Sequence, residues 1–298
     1  MNFDEVTISD KNLFDRYLKQ YKPQASELTF TNMFMWRNYY KLGFCEVNGF
    51  LCIVSVPGSG QPFCFIPVGD RDNTDFQGTV SKLKEYFTQK GWQLKFKRVT
   101  EDELEFLKNG NIPLGEIVKD SDNSDYIYNA ENLIKLSGKK YDGKRNHINR
   151  FKKEHEYEYT VLTEELLDEC KNITHNWCKE RNCEEHRKFY CEKIANYELL
   201  NNYKILGCQG ALIKVDGVYK AFTVGEMLNE DTAVIHIEKA DSSVNGLYTV
   251  INQQFCEHEW SGTTFINREQ DLGVEGLRKA KLSYNPAKMI YKYTVSVI

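Results

Sequence analysis

Apolar and polar positions in this chain follow helical and strand periods in an order that occurs twice. In the first half, Phe3 to Ile8 predicts a strand. Leu13, Phe14, Tyr17 and Leu18 then recur on one helical face behind a Ser9 or Asp10 cap, stopping near Pro23. Phe30, Phe34, Tyr39 and Tyr40 mark a second helix. Two apolar runs around Asn48-Gly49 predict a hairpin, and Phe63 to Val68 a third strand. Asn73 to Lys90 predicts an amphipathic helix and Trp92 to Val99 a strand. Thr100-Glu101-Asp102-Glu103 is a capping box opening a short helix, and Leu114 to Lys119 closes the series as a strand.

The second half repeats this order. Tyr157 to Leu162 predicts a strand, followed by helices over Glu164 to Glu180 and Glu184 to Asn202. Ala211 to Val215 and Val218 to Met227 form a hairpin about Asp216-Gly217, and Thr232 to Lys239 is the third strand. A helix (Gly246 to Trp260), a strand (Thr263 to Asn267), a helix (Val274 to Ser283) and a last strand (Met289 to Val297) complete it. The hairpin turns lie about 170 residues apart, which suggests a duplicated domain rather than a solenoid. The joint is expected in the Asp-, Ser- and Asn-rich stretch from Asp120 to Gly138. That divides a mixed α/β chain into domains 1–125 and 126–298.

Composition narrows the class. A net charge of −4 argues against a whole-surface grip on nucleic acid, although local basic patches remain. No stretch approaches the roughly 20 apolar residues that span a bilayer. Met1-Asn2-Phe3-Asp4-Glu5 has no basic or apolar leader, so the nine cysteines read as reduced thiols of a cytoplasmic protein. Cys178, Cys183, His186 and Cys191 lack a Cys-x-x-Cys pair and read as small buried groups, and no metal site is expected. The aromatic run Phe30 to Tyr40 has core spacing. Nucleophile-elbow, Walker and dinucleotide fingerprints are absent.

One segment stands out. Ile266-Asn267-Arg268-Glu269-Gln270-Asp271-Leu272-Gly273-Val274-Glu275 places three acids and an arginine between a short strand and a basic helix, denser in charge than a turn needs. Along Thr232 to Lys239, alternation puts His236 and Glu238 on one face, and Glu226 shares it if Leu228 pairs with Thr232.

The element order is similar to that of the GNAT acyltransferase fold, in tandem. Ala233-Val234-Ile235-His236-Ile237-Glu238-Lys239-Ala240, Gly246 to Phe255, the charged loop, Glu27 to Arg37, and Lys144-Arg145-Asn146-His147-Ile148-Asn149-Arg150-Phe151 resemble a bacterial family over nearly the whole chain. That family is related to the C-terminal domain of phosphatidylglycerol lysyltransferase and, more distantly, to the Fem aminoacyltransferases. The resemblance implies two GNAT-like domains and a ligand cleft at the carboxyl ends of Thr232–Lys239 and Thr263–Asn267, in the second half.

Acyl transfer needs a polarised carbonyl and a proton acceptor. Glu238 is the leading general-base candidate and Glu269 the second; the competing reading pairs Glu238 with Arg268 as a structural ion pair. His236 is a further catalytic candidate, although a buried structural histidine is commoner. Main-chain N–H groups of Thr232 to Lys239 would polarise the carbonyl. Arg268 suits a bidentate grip on phosphate or carboxylate, with Asn267 beside it. Asn245 and Gly246 open a helix that could meet a phosphate, but one glycine and Asp241 depart from the pyrophosphate loop of acetyl-coenzyme A enzymes. Seven of the fifteen residues from Lys139 to Lys153 are basic, and within them Lys144 and Arg145 are phosphate-binding candidates, as are Arg278 and Lys279. The bland reading is a solvated helix face with Ile148 and Phe151 inward.

The expectation is an aminoacyl or acyl transferase with aminoacyl-tRNA as phosphate-bearing donor. The acceptor would be an amine or hydroxyl such as a lipid headgroup or peptide, reached by peripheral contact. The alternatives are a coenzyme A-dependent N-acetyltransferase and a non-catalytic ligand-binding module; no resident cofactor is assigned.

Overall fold

The computed structural model describes residues 1–58, 60–72, 74–183 and 187–298, with the backbone alone for 187–191. Its elements run β1 (Asp4–Glu5), α1 (Lys11–Tyr21), α2 (Phe30–Tyr40), β2 (Leu42–Val47), β3 (Phe50–Ser55), β4 (Phe63–Cys64), α3 (Phe76–Gln89), β5 (Lys95–Thr100), α4 (Glu101–Asn109) and β6 (Leu114–Lys119). β7 (Asp125–Asn129), α5 (Ala130–Lys135) and α6 (Asp142–Glu154) follow. Then come β8 (Tyr157–Val161), α7 (Leu167–Glu180), α8 (Arg187–Asn201), α9 (Tyr203–Leu206), β9 (Gln209–Val215), β10 (Val218–Met227) and β11 (Thr232–Ala240). The chain ends with α10 (Leu247–Glu259), β12 (Phe265–Asn267), α11 (Glu275–Leu282), β13 (Lys288–Ile290) and β14 (Lys292–Val297).

These elements build two seven-stranded sheets, ordered β1-β2-β3-β4-β5-β14-β6 and β13-β7-β12-β11-β10-β9-β8. Each has a GNAT-like layout: an antiparallel meander, then a parallel step (β4–β5 and β11–β12), with helices on both faces. Local signals set the elements. Asn48 and Asp216 take left-handed conformations ahead of Gly49 and Gly217 at the hairpin turns. Thr100 and Glu103 make a reciprocal capping box at α4. α3 starts at Phe76 under an Asp75 cap; Asn73, the expected start, lies outside the described residues.

Two strands depart from the sequence expectation. β14, expected to complete the second half, lies between β5 and β6 in the first sheet. β7, in the stretch expected to be a linker, pairs with β12 in the second sheet. The compact units are accordingly discontinuous: Met1–Asp125 with Gln270–Glu275 and Met289–Ile298, and Tyr126–Glu269 with Gly276–Lys288.

In the first unit, α3 and α4 cover a core that includes Phe50, Phe87, Phe96, Leu107 and Val295. The same unit buries a cluster of charges. The wholly buried Lys292 ammonium on β14 donates to Glu27 and, at 2.6 Å, to Asp125. Arg98 at the end of β5 reaches Glu27 at 3.0 Å and Asp120 at 2.7 Å. Every charge in the cluster has an opposite neighbour, the condition under which burial is tolerated.

In the second unit, α10 packs on β9 to β11 and against α5 and α6, while α7 and α8 cover the opposite face. Phe222, Val224, Val234, Ile251, Phe255 and Ile266 form its buried centre. α6 buries Ile148 and Phe151. Cys178 and Cys183, expected as reduced thiols, are joined as a disulfide beside Trp177. His186 and the side chain of Cys191 lie outside the described residues, as does the expected helix start at Glu184. No described helix is long and apolar enough to cross a membrane.

Candidate active site where two strands part

β11 is paired with β10 along most of its length but with β12 only at its start. The parallel ladder joins Thr232, Ala233 and Val234 to Phe265, Ile266 and Asn267, and goes no further. Past Asn267 the chain turns toward β7: Arg268 N–H donates to Tyr126 O, and Tyr126 N–H to Glu269 O. The buried Asn267 side chain accepts from Glu269 N–H at 2.8 Å, which fixes this turn, and Glu269 adopts a left-handed backbone. β11 therefore runs on to Ala240 without β12, and a wedge opens between the two.

A bulge lies at the same level on the other side of β11. Val224 pairs with Ile237 and Gly225 with Ile235, so His236 has no partner on β10. Only glycine suits position 225, because a Cβ there would lie 2.5 Å from Val234 O and 3.0 Å from Ile235 Cδ1. The His236 side chain is wholly buried although the residue as a whole is half-buried, so its exposed part is main chain. The main chain of β11 thus reaches solvent at His236.

Alternation sends Glu238 toward α10 and Lys239 toward α7 and α8. Glu238 accepts from Arg268 Nη2 at 2.8 Å and from Asn252 Nδ2 of α10 at 3.0 Å. The ion pair weighed against catalysis is therefore formed. The Arg268 guanidinium carbon also lies 4.7 Å from the Tyr284 ring centroid and 5.7 Å from that of Tyr128. Burial works against the Arg268 charge, but Glu238 together with Tyr284, Tyr128 and Cys256 outweighs it and the pKa rises. Lys144 of α6 sets its ammonium 3.8 Å from the Tyr284 ring centroid. Burial pushes Lys144 down to about 8; repulsion from Arg268 adds to this and Glu238 opposes it. Arg268 Nη1, a donor, and Asn252 Oδ1, an acceptor, are buried without a hydrogen-bond partner among the described residues. Orphaned buried polar atoms are rare in folded proteins and call for an explanation such as a ligand or ion.

His236 and Glu269 do different work. His236 Nε2 lies 2.9 Å from Glu226 and Nδ1 2.9 Å from Glu269, so both ring nitrogens are engaged. Burial alone would lower the imidazole pKa; hydrogen bonds and charge from the two glutamates overcome it and push it up to about 9. The Glu–His–Glu clamp ties the loop after β12 to β11 and β10. Glu226 is on this face because Leu228 N–H does donate to Thr232 O.

A family model described as "Phosphatidylglycerol lysyltransferase, C-terminal" matches residues 18–296. The chain belongs to this family. It is 28% identical over 190 residues to an uncharacterized protein of Mycoplasmoides gallisepticum, covering 61% of this chain and 59% of that relative, so it spans about three fifths of the curated relative's length. A crystal structure of a conserved protein of unknown function from Bacteroides thetaiotaomicron superposes with a TM-score of 0.93 at 33% identity, over 100% of both chains. The C-terminal domain of a putative lysylphosphatidylglycerol synthetase from Agrobacterium fabrum shares the fold, with a TM-score of 0.67 at 15% identity over 97% of this chain and 92% of that one. The family and the fold are those of transferases of the GNAT and aminoacyltransferase type.

The structure brings together Glu238, Arg268 and Lys144 among the residues singled out in the sequence, and gives the others structural surroundings. Arg145 binds Asp142 and the carbonyls of Leu136 and Gly138, finishing α5. Gly246 is where α6 approaches: a Cβ there would lie 2.7 Å from His147 O, so this helix start is packed rather than open, with Asn245 exposed beside it. Arg278 and Lys279 lie on the outer side of α11, while Lys281 turns inward and donates to Arg268 O and Glu269 O. Asn252, Tyr128 and Tyr284 were missed because they read as ordinary helix, linker and turn residues, while Lys281, expected with Arg278 and Lys279 in a phosphate-facing basic patch, donates to main-chain carbonyls. The first half offers a contrast. Arg98 precedes Arg268 by 170 positions, but Glu27 and Asp120 occupy its guanidinium. Among the described residues, no cluster of three or more His, Cys, Asp or Glu is arranged to hold a metal ion.

Proposed function

We propose that the second unit transfers an aminoacyl group from an aminoacyl-tRNA donor to an amine or hydroxyl acceptor, such as a lipid headgroup or peptide, in the wedge between β11 and β12. The observation that carries this reading is the pair of buried, unpartnered atoms beside Glu238. Arg268 Nη1 is a donor suited to an acyl carbonyl or phosphate oxygen, and Asn252 Oδ1 an acceptor suited to an ammonium or hydroxyl. Peptide N–H groups of β11 would polarise the carbonyl as it becomes tetrahedral. Arg268 and Lys144 repel one another, as the lowered Lys144 pKa reflects, and an anion between them relieves that repulsion. Glu238 takes the acceptor's proton once substrate loosens its pair with Arg268, and Glu269 is set aside because it serves His236.

A coenzyme A donor is disfavoured. At the start of α10, Ser243 N–H and its hydroxyl already donate to Asp241, occupying groups that would cradle a pyrophosphate with a like-charged carboxylate. The test is transfer of labelled aminoacyl groups from charged tRNA to anionic phospholipid vesicles and to peptides. Glu238→Gln should lower the rate by at least about a hundredfold while the circular dichroism spectrum is unchanged. Full activity in that variant removes Glu238 from the reaction. Micromolar binding of coenzyme A with acetyl transfer would overturn the donor assignment.

A further inference from the structure

The hairpin of β2 and β3 places two cysteines directly opposite one another: its register pairs Val47 with Phe50, Glu46 with Leu51 and Cys45 with Cys52. Directly opposed residues of an antiparallel pair project from the same face, with Cα atoms about 4.5–5.5 Å apart, within the span of a disulfide. The two thiols face one another across the ladder, close enough to shift each other's pKa in opposite directions. Their exposure differs. Cys45 is half-buried, whereas Cys52, Cys64, Cys170, Cys208 and Cys256, the other described free cysteines, are all buried. Cys45 therefore combines solvent access with an adjacent thiol. A hydrogen bond between the two sulfurs lowers its pKa despite burial and raises that of Cys52.

We propose that Cys45 and Cys52 form a peroxide-sensitive redox pair, with Cys45 the attacking sulfur and Cys52 the resolving one. The Cys45 thiolate attacks one oxygen of hydrogen peroxide; the O–O bond breaks and hydroxide leaves, giving the sulfenic acid. The Cys52 sulfur then attacks the Cys45 sulfur; the S–O bond breaks and hydroxide leaves with the Cys52 proton as water. The two thiols lose two electrons, and the peroxide is reduced to two waters. A cross-strand disulfide results, and a thiol reductant reverses it.

The test exposes the protein to hydrogen peroxide, blocks remaining thiols with N-ethylmaleimide and digests after Glu46, which lies between the two cysteines, and after Phe63, which separates Cys52 from Cys64. Cys45 and Cys52 peptides should emerge linked, and dithiothreitol should separate them. In Cys52→Ser the product should instead be a Cys45 sulfenic acid trapped by dimedone. Without peroxide, N-ethylmaleimide should label Cys45 at least about tenfold faster than the buried cysteines. A Cys45 that stays reduced while other thiols oxidise, or one that forms sulfinic acid without linkage, overturns the pairing. So does linkage to Cys64. The unsubstituted protein alone decides these outcomes if the variant does not fold.

Discussion

Replacing His236 with glutamine should remove a stabilisation that depends on pH in a defined direction. The imidazole is wholly buried between Glu226 and Glu269, which hold its pKa at about 9 against an ordinary 6.5. A raised folded-state pKa means that folding favours the protonated ring. The contribution is complete below pH 6.5, falls as pH rises toward 9, and is gone above it. The gap between about 9 and 6.5, at about 1.4 kcal/mol per pH unit, is worth about 3 kcal/mol. Urea unfolding of the parent protein and of His236→Gln at half-unit steps from pH 6 to 9.5 supplies the check, because groups shared by both proteins cancel in the difference. The stability gap should shrink by about 3 kcal/mol across that range, and the imidazole resonances should titrate near pH 9. A gap that is flat or widens with pH would refute the charged clamp, as would an imidazole that titrates near 6.5.

Two further substitutions probe the frame. Lys292→Ala takes away the cation between Glu27 and Asp125, leaving Arg98 beside Glu27 and the Ser26 donors at Asp125, so it should cost about 3–5 kcal/mol in urea unfolding. Adding Glu27→Gln and Asp125→Asn should recover part of that loss, and no recovery would show that packing rather than charge is at issue. Gly225→Ala puts a methyl 2.5 Å from Val234 O; it should cost about 1–3 kcal/mol and lower the melting temperature. An unchanged melting temperature would mean that the bulge is free to relax.

What the sequence revealed follows the range of the interactions involved. The hairpin turns at Asn48-Gly49 and Asp216-Gly217, the Thr100 capping box and the inward Ile148 and Phe151 each depend on neighbours a few residues away. The destination of β14 does not: Tyr293 is as compatible with one sheet as with another, and its pairing with Val99 joins residues 194 positions apart. β7 was hidden because Asp125-Tyr126-Ile127-Tyr128-Asn129 is short and flanked by polar residues. Within the site, Glu238 stood out as a charge on an apolar strand and Arg268 as part of an unusually charged loop. Asn252 did not, because an asparagine within a helix carries no signal until a carboxylate is found opposite it. Lys144 emerged from a basic run only because burial separates it from its solvated neighbours.

The placement of β14 in the first sheet has a consequence for synthesis. β5 and β6 are 14 residues apart at their nearest ends, yet the strand that belongs between them is translated about 170 residues after β6. Until then the first sheet is split, with two unpaired edges and without the Lys292 ammonium that neutralises Glu27 and Asp125. The first unit therefore cannot complete its sheet before the second unit's residues have been made. A cut at the apparent joint would likewise separate the first sheet from β14.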